Sequence, residues 1–145
     1  MAKLHWLESM SVGVDQFDDA HKGFIAVLNA IASALNHGDP VEAERLCATF
    51  LDMAVEHGHQ EVAFLRRKGF PRVQTIIEAQ QATLAKIESL NAAIRHDSET
   101  AKHMVDDMMR AEVDYLLHGD INFKSFIQNL ADEGQSIDPL EREKE

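Results

Sequence analysis

The sequence predicts an all-α protein, an up-down-up-down four-helix bundle. Apolar residues recur every three or four positions through four long stretches, no segment alternates as a strand does, and no internal repeat is present. Glycine and proline gather at a few points between those stretches. Helices of roughly 20 to 30 residues on short connections force sequential neighbours antiparallel and enclose one long interior.

Each helix has its own signals. After a non-helical start from His5 to Val14, the residues Phe17, Phe24, Val27, Leu28, Ile31 and Leu35 mark the first helix. Asp15 or Asp18 stands where it can cap that helix, and His37-Gly38-Asp39-Pro40 ends it. The second opens after Pro40, carries Leu46, Phe50, Met53, His57, Glu61, Phe64 and Leu65, and stops at Lys68-Gly69-Phe70-Pro71. The third runs through Val73, Ile76, Gln80, Leu84, Ile87, Leu90 and Ile94 to the polar break His96-Asp97-Ser98. The fourth is expected from about Glu99 past Leu130, with Val105, Met108, Glu112, Leu116, Phe123 and Ile127 on its stripe. Residues 1–133 thus read as one helical domain and 134–145 as a polar, mobile tail.

Composition narrows the function classes. The chain has 145 residues, 45% of them hydrophobic, which suits one folded domain. Asp and Glu number 25 against 14 Lys and Arg, a net charge of −11 that argues against nucleic acid and anionic membranes as partners. Cys47, the single cysteine, cannot form an internal disulfide and reads as a small core residue. No apolar run is long enough to span a membrane, and MAKLHW is not followed by a signal-peptide core. A cytoplasmic location is the expectation.

The informative residues are polar ones on apolar stripes. His57 and Glu61 are four apart, about 40° from one another around a helix, on the face that holds Met53, Phe64 and Leu65. His21 falls between Phe17 and Phe24, and Asp120 between Leu116 and Phe123. Taken singly, such residues read as half-exposed edges of a stripe. Taken together, unpaired carboxylates in an apolar interior cost several kcal/mol or stay protonated. A divalent cation removes that cost, and two imidazoles with two carboxylates are a set that binds Fe, Mn or Zn. The remaining histidines stand in loops, near helix ends or off this face.

These residues also carry a resemblance that covers nearly the whole chain. Trp6 with Ser11-Val12-Gly13-Val14 and Asp18-Asp19-Ala20-His21-Lys22 resembles the N-terminal signature of bacterial hemerythrins. His57-Gly58-His59-Gln60-Glu61 followed by Lys68-Gly69-Phe70-Pro71 is similar to the family's HxxxE helix and GYP turn. Asp120-Ile121-Asn122-Phe123-Lys124-Ser125-Phe126 resembles its closing ligand aspartate. Hemerythrins hold two irons bridged by a Glu and an Asp. The resemblance places His21 and His57 on the two-histidine iron and Glu61 and Asp120 at the bridges. Histidines expected for the other iron are replaced by Ile76, Gln80 and Tyr115.

All three losses fall on one iron, which implies a single metal held by His21, His57, Glu61 and Asp120. Iron, one per chain, is the favoured cofactor, with Mn and Zn left open. Ile76 is then core, while Gln80 and Tyr115 can hydrogen-bond a carboxylate or a bound water. In the alternative, Tyr115 phenolate and the Gln80 carbonyl complete a dinuclear, more ferric site; a metal-free bundle is the third reading. Reversible oxygen carriage in the family takes one electron from each of two irons, and a lone ferrous ion supplies one. The functions left are binding or sensing O₂, NO or redox state with a separate protein partner or a reductase, and an oxygen-activating enzyme with a pocket near Ile76, Gln80 and Tyr115. General metal or oxygen handling is the family default.

Overall fold

The predicted stretches form five α-helices and one short 3-10 turn in the computed structural model, which describes residues 3–119 and 121–140. The turn is Glu8–Met10, and the helices are α1 Asp15–Asn36, α2 Pro40–Arg67, α3 Val73–His96, α4 Ser98–His118 and α5 Ile121–Asp132. No strand occurs among the described residues, and none of their helices is long and apolar enough to cross a membrane. Helix α1 packs on α2 and α4, and α3 packs on the same two, so the four close into a ring.

The breaks have local causes. Asp39 caps α2 by accepting the Glu42 N–H at 3.0 Å, with Pro40 pre-set in the first turn. At the far end Gly69 adopts φ +78°, and the N–H groups of Gly69 and Phe70 donate to the carbonyls of Arg66 and Leu65. That is a Schellman closure, and it drops the Phe70 ring into the core. Asp97 ends α3 and caps α4, accepting from the Thr100 N–H and hydroxyl.

Two expectations are corrected. Neither Asp15 nor Asp18 caps α1; Val14 is its cap residue and supplies no side-chain bond. Asp18 instead turns back, accepting the Val12 N–H at 2.8 Å and the Ser11 hydroxyl, which fastens the leading segment to the helix. Nor is the fourth stretch one helix, because Gly119 leaves helical geometry at ψ −155°. A Cβ there would collide with the Tyr115 carbonyl, so this break needs glycine. Lys124 of α5 reaches back to the Leu116 carbonyl at 2.6 Å and satisfies one of the acceptors freed at the end of α4.

Three apolar clusters form among the described residues, a small one of Met10, Ile25 and Leu116 and two larger ones. Phe24, Leu28, Ile31, Phe50, Leu90 and Val105 lie in one. Phe17, Phe64, Leu65, Phe70, Ile76 and Phe123 lie in the other. Cys47 is buried in the first, as its sequence context predicts, and burial, reinforced by the Glu44 charge, pushes its thiol up to about 11. The described part of the tail, 134–140, is tied down. Asp138 accepts from Gln16, the Pro139 carbonyl accepts from Arg67, and Ile137 packs on the second cluster.

Candidate metal centre

Between the two larger clusters lie the buried polar side chains His21, His57 and Glu61, 6%, 8% and 4% exposed. Helical spacing puts His57 and Glu61 one turn apart on the inner face of α2, and α1 brings His21 against them. The imidazoles of His21 and His57 meet edge to face with centroids 4.9 Å apart. Phe17 of one cluster and Phe24 of the other each set an edge against His57 at 5.4 Å, which fixes its ring plane.

The polar contacts form a chain. His57 Nε2 lies 3.0 Å from Glu61 Oε2, and Gln80 of α3 donates its Nε2–H to Glu61 Oε1 at 3.1 Å. On the other side, His21 Nδ1 lies 2.7 Å from Glu112 Oε1 of α4. His57 Nδ1 is buried and makes no hydrogen bond among the described residues. Burial disfavours a charged His21, yet its bond to Glu112 and the charges of Glu112, Glu61 and Asp18 outweigh burial, so its pKa is raised. Burial likewise works against an ionised Glu61, but the bond and charge of His57, the charge of His21 and the Gln80 bond hold its pKa below the ordinary carboxylate range.

One ligand atom each from His21, His57 and Glu61 can be chosen so that all lie within 4.8 Å of one another. Bonds of about 2.1 Å at a right angle put two ligand atoms about 3.0 Å apart. The His57–Glu61 separation already has that value, and the His21 ligand atom lies within 4.8 Å of both. The donor set fits a divalent cation of the Zn, Mn or Fe type, with borderline nitrogen and hard oxygen ligands.

The other predicted positions divide. Ile76 is 3% exposed and belongs to the second cluster. Gln80 bonds Glu61, as described. Tyr115 is half-buried, its ring 6.1 Å from that of His21. Asp120 lies outside the described residues. His5, His37, His59, His96, His103 and His118 are all exposed and away from the cluster.

Glu112 was not foreseen as part of the site. Its only sequence signal is an acid on the apolar stripe of α4, four residues before Leu116. Structurally it holds His21 by Nδ1, which leaves Nε2 for the interior. A cavity of about 330 Å³ adjoins the cluster, lined by residues of α1 to α4. No family model matches the chain, and no curated protein matches it.

Proposed function

We propose that the chain is a hemerythrin-like, non-heme metal-binding protein holding one cation, iron by resemblance, through His21, His57 and Glu61, with Asp120 as the fourth ligand. The observation that carries this reading is the buried cluster of two imidazoles and a carboxylate from two helices. Its fold would be the up-down-up-down four-helix arrangement, which the closed ring of contacts among α1 to α4 supports.

The chain's own residues do the preparatory work in this reading. Glu112 orients His21, Phe17 and Phe24 fix the plane of His57, and Gln80 holds the Glu61 oxygen that a second ion would otherwise engage. The surrounding apolar clusters lower the local polarity, which keeps the charges strongly coupled. A ferrous ion bound there would supply one electron and open coordination positions. The function assigned is binding or sensing of O₂, NO or redox state, relayed to a protein partner or reductase, rather than reversible oxygen carriage.

The oxygen-activating alternative with two ions needs the Gln80 carbonyl and Tyr115 as ligands. The Gln80–Glu61 bond weighs against it, because the amide is oriented by its N–H on the carboxylate and its oxygen lies over Gly58. Counting metal per chain after anaerobic iron loading tests the reading. One iron without the absorption bands of an oxo-bridged pair is the result it predicts. Two irons with a phenolate charge-transfer band would transfer support to the alternative, and none would end both.

A further inference from the structure

The cavity beside the cluster is larger than an ion or a diatomic gas requires. At about 330 Å³ it sits at the small end of the range for organic ligands, and it has their usual make-up of apolar walls with a few polar groups. Phe24 and Phe50, whose ring centroids are 5.6 Å apart, line it together with Leu84 and Met108. The inner end carries the His21–Glu112 and His57–Glu61 pairs. Ala79, Ala82, Thr83 and Lys86 of α3 and Ala111 of α4 line the cavity and are exposed, and the three alanines are too short to cover its opening.

Size and charge select the occupant. An apolar cavity of about 150 Å³ holds benzene, so roughly twice that volume suits two fused rings. Glu61 and Glu112 at the inner end disfavour an anion there, and the lining cation, Lys86, is exposed. Glu112 spends Oε1 on His21, and its second oxygen makes no hydrogen bond among the described residues. We infer that the cavity binds a neutral, two-ring aromatic molecule with one N–H or O–H donor, its rings against Phe24, Phe50, Leu84 and Met108 and its donor on Glu112. The inference does not depend on a metal at the cluster.

Indole is the probe, titrated calorimetrically into the full chain both metal-stripped and iron-loaded, with metal counted in the same samples. One saturable indole site is expected in the metal-stripped chain, with naphthoate at least tenfold weaker. Ala111→Phe and Ala82→Phe, each checked for native helicity, should weaken indole at least tenfold by filling the opening. Absence of saturable binding, or binding unchanged in both variants, overturns the inference, and naphthoate binding as tightly as indole in the metal-stripped chain overturns its neutral-ligand part. Indole binding by a chain that holds no iron after loading sinks the proposed function alone, and iron held after loading without indole binding in either sample sinks the cavity alone.

Discussion

Replacing His57 by alanine separates the stability of the cluster from its capacity to hold an ion. The side chains of His57 and Glu61 are 9% and 5% exposed, and their contact is 3.0 Å. Removing His57 leaves Glu61 with Gln80 and the charge of His21. A buried charge stripped of its partner costs about 3 to 5 kcal/mol, and the neighbouring His21 puts this case near 3. Lost edge contacts with Phe17 and Phe24 add about 0.5 to 1.5 kcal/mol each. For a chain of this size each kcal/mol moves Tm by about 2 to 4 °C, so the metal-stripped variant should melt at least about 6 to 12 °C lower. Metal at one hundred times its Kd should raise the native Tm by about 5 to 11 °C, from about 2.7 kcal/mol of linkage, and should not move the variant. The double variant His57→Ala, Glu61→Leu removes both partners of the pair; it should recover most of the lost stability and still bind no metal. Calorimetric melting with and without metal reads all three chains. An unchanged metal shift in His57→Ala would refute the reasoning, as would a double variant no more stable than the single one.

Restoring Ile76→His, Gln80→His and Tyr115→His together should add a second iron and reversible O₂ binding, read by metal content and by spectra under cycled oxygen; gain of neither contradicts the resemblance. The His21–Glu112 pair predicts a pH effect on the metal-stripped chain. A raised His21 pKa gives stability that is full below about 6.5, the unfolded value, and lost as pH rises through the higher folded value. Glu112→Gln should flatten that loss in urea melts between about pH 6 and 9, and an undiminished slope would remove Glu112 from the cause.

Helices α1 to α3 were legible because their ends are marked by backbone chemistry that reads locally: Asp39-Pro40, Gly69 ahead of Pro71, and Asp97. The split between α4 and α5 was not, since apolar spacing continues from Leu116 to Phe123 and a single glycine inside a helical pattern is often tolerated. What permits it is the missing Cβ at Gly119, since any other side chain there would meet the Tyr115 carbonyl, and that is visible only in three dimensions. The same division runs through the site. His57 and Glu61 were legible because one helical turn joins them, and His21 because an imidazole between two phenylalanines has to face inward. Glu112 escaped because its partner lies 91 residues away, and one acid among 25 looks like part of a solvated face. Asp18 misled for a related reason: an acid in the first turn favours capping, whereas the chain ahead of it folds back to take its oxygens.

The most direct test is crystallography of the iron-loaded protein with data collected across the iron absorption edge. The account predicts one anomalous peak, with a nitrogen of His21, a nitrogen of His57 and an oxygen of Glu61 each about 2.0 to 2.2 Å away. A loaded crystal with no peak among those three side chains, or with a second peak bonded to Gln80 and Tyr115, would contradict it.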